Sequence, residues 1–169
     1  MFHTIDSTPC LDETDWQLIE ALQANARQSF TALGNAVGLS RPAVAERVRR
    51  LEDLGVITGY RAVIDPARIG RSITAFVRLR TSNRSDTAAI SAIITELPEV
   101  LECFRGTGDD CFILKIAVAS IAHLDSVLEQ LRDYGNSTTS IILSALVMNR
   151  AFVKPFPGNG SSRMCAIGD

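Results

Sequence analysis

Residues 39–54 read Leu-Ser-Arg-Pro-Ala-Val-Ala-Glu-Arg-Val-Arg-Arg-Leu-Glu-Asp-Leu, and the spacing within them decides the fold of the first part of the chain. Val44, Val48 and Leu51 recur at i, i+4 and i+7, which puts all three on one side of an α-helix. Ala43, Arg47 and Arg50 share another side, with Glu46 beside them. Ser40 is a good N-cap, Pro42 is tolerated in the first turn, and Gly55 stands where a helix should stop. The result is a short helix with an apolar back and an arginine-rich front. Such a helix suits the DNA major groove, where Arg meets phosphate or guanine. The DNA-facing residues expected from this reading are Ser40, Arg41, Pro42, Ala43, Glu46, Arg47 and Arg50, with Arg49 nearer the flank.

The residues upstream supply the rest of a helical unit. Asp12 reads as an N-cap, Asp15 as its partner at the third helical position, and Leu11 with Trp16 as a hydrophobic staple. Trp16, Ile19, Leu22 and Ala26 form the expected apolar stripe of this helix. Ser29 caps a second short helix, in which Leu33, Ala36 and Val37 are expected to face inward. Gly38 then permits a left-handed turn before the helix at 41–54. Two short helices joined by a Gly-containing turn, after a longer one, make a helix-turn-helix unit. Gly34 within the second helix costs on the order of 1 kcal/mol relative to Ala, and close approach of the third helix is the expected compensation.

Charge distribution supports the same reading. The 169-residue chain has a formal net charge of −2, but it is unevenly spread. Residues 1–40 hold one Arg against five acids, whereas residues 41–80 hold nine Arg against four acids, a local net of 9 − 4 = +5. A basic surface of that kind binds phosphate whatever the total charge. An apolar share of 46% argues for a folded globular chain. No apolar run approaches the roughly 18 residues that span a bilayer, and no signal peptide is visible, so a cytoplasmic, nucleoid-associated protein without a membrane partner is expected. Cys10, Cys103, Cys111 and Cys165 are scattered, and reduced thiols are expected.

Downstream the period changes from helix to strand. Residues 56–65 are β-prone until Pro66 and Gly70 break them, and residues 61–72 read as a linker. Ile73, Ala75, Val77 and Leu79 then alternate as in a half-buried strand. Ile90, Ile93, Ile94 and Leu97 mark a helix that Pro98 ends. Residues 100–105 read as a strand, 106–110 as a turn and 111–118 as another strand. Leu124, Val127, Leu128 and Leu131 mark a helix capped by Ser120, and residues 138–147 a final strand.

The fold class is therefore α+β: an N-terminal helix-turn-helix (winged-helix-like) domain at 11–60, joined to a ferredoxin-like βαββαβ domain at 73–150. Residues 151–169, rich in Pro, Gly and Ser, read as a flexible tail. The open face of the sheet needs a cover, and a dimer packed sheet against sheet would supply one.

This order of motifs resembles the leucine-responsive/asparagine-regulator (Lrp/AsnC) family of transcriptional regulators. The resemblance rests on Leu11-Asp12-x-x-Asp15, Asn25-Ala26-Arg27, Val37-Gly38-Leu39-Ser40, Arg47-Val48-x-Arg50-Leu51-Glu52, Gly55-Val56-Ile57-x-Gly59-Tyr60 and Ile69-Gly70. Cys103, Thr107-Gly108 and Leu114-Lys115 fit in the second domain, so the likeness covers residues 11 to about 150. It implies a homodimer that assembles further, to tetramer or octamer, binding double-stranded DNA and an amino-acid or small-metabolite effector between dimers. By resemblance the effector site comprises Thr107, Gly108, Asp109, Asp110 and Cys111, with Thr138 and Ser140 matching a Thr-x-Thr pattern. Many members carry an acid three positions after the glycine, where this chain has Cys111, so Asp109 or Asp110 must take the amino group or the effector differs.

Other readings of these features are weaker. The helix at 41–54 alone is also an ordinary amphipathic surface helix, and Gly106-Thr107-Gly108 alone is a tight turn rather than a phosphate fingerprint. An exposed turn with free amides beside two carboxylates nonetheless suits a zwitterion. His3 and His123 form no recognisable motif with Cys or carboxylate, and Cys103 with Cys111 lacks zinc-ligand spacing. No catalytic residue, metal site or cofactor is expected. The alternatives to a sequence-specific regulator are a metabolite-binding assembly protein and a DNA-organising protein of low sequence preference.

Overall fold

The computed structural model describes residues 9–81, 87–108 and 111–155. They fall into two compact units, residues 9–62 with 147–155 and residues 63–146.

The first unit is a three-helix head. Helix α1 (Glu13–Ala24) begins at a reciprocal capping box: the Asp15 amide donates to Asp12 at 2.8 Å, and the Asp12 amide to Asp15 at 3.1 Å. Its buried positions are Asp15, Leu18, Ile19 and Leu22. The stripe is thus turned from the expected one, since Trp16 is only half-buried and Ala26 lies exposed beyond the helix. Helix α2 (Phe30–Val37) is capped by Ser29 and buries Leu33 and Gly34, while Ala36, expected inward, is exposed. Helix α3 (Arg41–Asp53) is capped by Ser40 and buries Val44, Val48 and Leu51.

Two glycines make the turn between α2 and α3. Gly38 takes φ 73°, the left-handed region. Gly34 is required by contact rather than by φ: a β-carbon there would overlap the Leu39 carbonyl oxygen, with Val44 Cγ2 next at 3.6 Å. The close approach comes chiefly from the turn itself, not from the third helix as expected.

Among the described residues the head contains no strand and so has no wing. Residues 56–65, β-prone in sequence, have no ladder partner and are irregular and mostly exposed. β-propensity reports fit to a sheet, and without strand partners it builds none. Tyr60 donates a hydrogen bond to Glu52 at 2.9 Å. A 3₁₀ turn at Pro66–Ile69, capped by Asp65, follows.

The second unit contains β1 (Ile73–Thr81), α4 (Thr87–Glu96), β2 (Val100–Arg105), β3 (Phe112–Val118), α5 (Ile121–Leu131) and β4 (Gly135–Ile141). The sheet order is β2-β3-β1-β4 with all neighbours antiparallel, as the expected ferredoxin-like βαββαβ order requires. Ala75, Val77 and Leu79 of β1 and Phe112, Leu114, Ile116 and Val118 of β3 face the helices. There they bury Ile90, Ile94 and Leu97 from the α4 region, with Leu124, Val127 and Leu131 from α5. The alternate residues form an open face. Phe76 is 41% and Phe104 53% exposed there, and Lys115 pairs with Glu102 at 2.9 Å.

The last strand departs from expectation at both ends. It starts at Gly135 because β1 is there to pair with, Thr81 opposite Gly135. Its ladder closes with the Ile142 amide donating to the Thr74 carbonyl at 2.9 Å. Beyond that point Leu143, Leu146, Val147 and Met148 are exposed and unpaired with any strand, although their composition is β-prone.

Residues 151–155, expected to belong to a flexible tail, dock on α1. Gln23 donates to the Phe152 carbonyl at 2.8 Å and accepts from its amide at 2.7 Å, and Lys154 pairs with Glu13. One side-chain amide thereby satisfies both backbone groups of Phe152, which composition could not signal. The remainder of that tail, 156–169, lies outside the described residues, as do residues 1–8. Cys103 and Cys111 are not disulfide-bonded, whereas Cys10 is, against the expectation of a thiol there.

Candidate DNA-reading face and effector site

The Ser40 hydroxyl accepts from the Ala43 amide at 3.4 Å, which starts α3 with its first turn at the head's surface. Ser40, Arg41, Pro42 and Glu46 are exposed and Ala43 is half-buried. With Val44, Val48 and Leu51 turned inward, the outward side of α3 carries Pro42, Glu46 and Arg49. Arg49, placed on the flank by the sequence reading, is thus exposed on the outward side.

Arg47 and Arg50, expected foremost on this face, turn toward α1 instead. Arg47 Nη1 meets Asp12 at 2.6 Å and Asp15 at 2.8 Å. Arg50 Nη1 meets Asp15 at 3.4 Å, and its Nη2 donates to the Cys10 carbonyl at 3.1 Å. Asp15 is fully buried, so its carboxylate needs such partners. Burial by itself would raise the Asp12 carboxyl. The Asp15 amide, the Arg47 guanidinium and the Thr14 amide outweigh it and hold the group below its ordinary value. A capping box and an arginine-rich helix were both legible in the sequence. That each completes the other was not, because they lie more than 30 residues apart.

The expected effector residues all belong to the second unit. Thr107 and Gly108 are exposed in the β2–β3 turn, which the Gly106 amide closes onto the Cys111 carbonyl at 3.1 Å. Asp109 and Asp110 lie outside the described residues. Cys111 is half-buried against the core, with Thr81 Oγ1 at 3.6 Å from its sulfur. Thr138 and Ser140 share the open face of β4, opposite Arg78 and Phe76 respectively. Turn and hydroxyls lie toward one end of the sheet, but β1 stands between β3, where the turn ends, and β4, a span of about 10 Å at the usual strand spacing.

Arg78 is the residue that sequence reading missed. Its outward side was legible from the alternation in β1, but its pairing opposite Thr138 comes from the β1–β4 register.

A depression of about 530 Å³ lined by Ile93, Glu96, Leu97, Pro98, Glu99 and Gln130 contains none of the expected effector residues. His123 is occupied structurally: its amide donates to the Ser120 hydroxyl at 3.1 Å, and its Nε2 lies 3.0 Å from Glu99.

Residues 11–52 match the AsnC-type helix-turn-helix domain, and residues 74–152 the Lrp/AsnC ligand-binding domain. A Bacillus subtilis HTH-type transcriptional regulator, YezC, is 37% identical over 142 residues, covering 84% of this chain and all (100%) of the relative. The proline dehydrogenase transcriptional activator of Rhodobacter capsulatus is 37% identical over 123 residues, covering 72% of this chain and 80% of its own length. Among solved structures, a Neisseria meningitidis transcriptional regulator in complex with L-Met superposes with a TM-score of 0.79 at 26% identity. That match covers 85% of this chain and 96% of the other. The chain belongs to the Lrp/AsnC family: it is a DNA-binding regulator with a helix-turn-helix head and a ligand-binding unit of the kind that responds to amino acids. Its relatives are transcriptional regulators, not enzymes. Among the described residues no helix is long and apolar enough to cross a membrane.

Proposed function

We propose that this protein is a homodimeric, sequence-specific transcriptional regulator, without catalytic activity of its own, whose DNA binding is altered by an amino acid. The observation that carries the reading is the pairing, in one chain, of an exposed α3 first turn with a ligand-binding unit whose sheet leaves polar groups uncovered. Ser40, Arg41, Pro42, Ala43 and Glu46 present the docking end of α3 to the major groove, with Arg49 beside them. In the second unit the hydroxyls of Thr138 and Ser140 and the guanidinium of Arg78 suit a carboxylate. The amides of Thr107 and Gly108 suit the same ligand from the turn, and Asp109 or Asp110 suits its ammonium group. Because the two sets stand apart in one chain, a second copy or a second dimer completes the site.

The dimer follows from what one chain leaves uncovered. Phe76 and Phe104 crown the open sheet face, and residues 56–65 and 142–148 are β-prone segments with no ladder. A second copy offers all of them partners at once. Two heads on a two-fold axis then read two half-sites, and the effector shifts the balance between assemblies that space the heads differently. A DNA target supports a cytoplasmic, nucleoid-associated location.

A gel-shift titration on the chain's own upstream DNA, with and without each common amino acid, tests the reading. Specific retardation that one amino acid strengthens or weakens is expected. Equal retardation of unrelated duplexes would point instead to a DNA-organising role, and none at low salt with the oligomer intact would overturn DNA binding.

A further inference from the structure

The ion pairs between α3 and α1 have a geometry that apolar packing lacks. Val44, Val48 and Leu51 hold α3 against the head, but hydrophobic contact is non-directional and tolerates some roll of a helix about its axis. Guanidinium–carboxylate pairs are directional. Arg47 and Arg50 sit three residues apart on one flank of α3, and both converge on Asp15, whose side chain is fully buried. Asp15 Oδ1 accepts from Arg47 at 2.8 Å, and Oδ2 accepts from the Asp12 amide at 3.1 Å and from Arg50 at 3.4 Å. Asp12 Oδ2 takes a second bond from Arg47 at 2.6 Å. Every oxygen of the buried carboxylate is thus engaged, and the same two acids cap α1. The roll of α3 is thereby keyed to the N-terminus of α1, and with it the direction in which Arg41, Glu46 and Arg49 point.

We propose that Arg47, Arg50, Asp12 and Asp15 form a clamp that sets the roll of α3, and that Arg47 and Arg50 are positioning residues for DNA reading rather than groove contacts. Phosphate and base contacts then fall to Arg41 and Arg49. The inference rests on the DNA-binding reading above.

The two roles predict opposite signs for one substitution. If Arg47 and Arg50 touched DNA, Asp15→Asn would remove a competing negative charge and leave affinity unchanged or tighter. If they act through Asp15, the same change weakens binding of the full-length protein at least about fivefold, the lower end of what one lost base contact costs. The slope of log Kobs against log salt stays unchanged, because a changed roll misplaces the base contact while the long Arg41 and Arg49 side chains still reach phosphate. Arg49→Ala is expected to lower that slope by about one while leaving the melting temperature unchanged. Arg47→Ala is expected to weaken binding no further once Asp15→Asn is present, and Arg47→Lys to restore part of the loss. Should Asp15→Asn fail to fold, Asp12→Asn removes one arm at a half-exposed carboxylate and must still weaken binding at constant slope. Unchanged or tighter binding by these Asp variants, or a slope reduced by about one in Arg47→Ala, overturns the clamp alone. Failure of the wild type to retard any duplex overturns the DNA reading as well.

Discussion

The head and the sheet unit manage exposed chemistry in opposite ways. In the head, Leu18, Leu22, Leu33, Val44 and Val48 close a core, the buried acid Asp15 is fully paired, and even Phe152 and Lys154 find partners on α1. In the second unit one sheet face is packed under helices and the other is left with two phenylalanines, Arg78 and a row of hydroxyls facing outward. A closed core with its buried acid paired marks a module that keeps its shape while its outer surface meets a partner. Incomplete burial leaves a surface that assembly and ligand would finish under the proposed function. A regulator needs both: rigidity where sequence is read, and an open equilibrium where the signal enters.

The largest expected effect tests the unfinished side. Phe76→Glu places a charge at the centre of the open face, where the proposed dimer would bury it, and is expected to leave the protein monomeric in light scattering where the wild type is dimeric. The cost is at least about 2 kcal/mol, as for truncating a central interface residue. Because Phe76 points away from the helices, the monomer's own core should survive. A variant that stays dimeric would move the interface elsewhere.

A second change tests how tightly the head is closed. Gly34→Ala gains about 1 kcal/mol of helix propensity. It also forces a methyl against the Leu39 carbonyl, an overpacking that costs about 1–3 kcal/mol. A net loss of about 1 kcal/mol in urea unfolding is expected, and a gain would show that the turn yields.

The smallest effect concerns pH. Asp12 is held below its ordinary value of 3.8, so its contribution to stability is complete above that value and disappears as pH falls through the lower folded-state value. Wild-type unfolding midpoints measured from about pH 5 to pH 3 should therefore fall more steeply than those of Asp12→Asn. Parallel curves would remove Asp12 from the account of acid sensitivity.

How much could be read beforehand varied with the range of the interaction. The caps at Asp12, Ser29, Ser40 and Ser120 and the turn at Gly38 are local, each settled within about four residues, and all were legible. The alternation Ala75-Val77-Leu79 likewise announced its buried face. The end of β4 was misread because a strand exists only where another strand accepts its hydrogen bonds, and the β-prone residues 56–65 form none for the same reason. The ion pairs of Arg47 were not legible because its partners stand more than 30 residues away.

The sequence by itself determined the helical head, the βαββαβ order and the family, since periodicity, caps and turn residues act over a few positions. Only the tertiary structure decided which charges are spent. It joined the arginines of residues 39–54 to a buried aspartate, set Arg78 opposite Thr138, and left one sheet face without a cover. The physical reason is that ion pairing, register and burial depend on distances between residues far apart in the chain, and those distances exist only once it has folded.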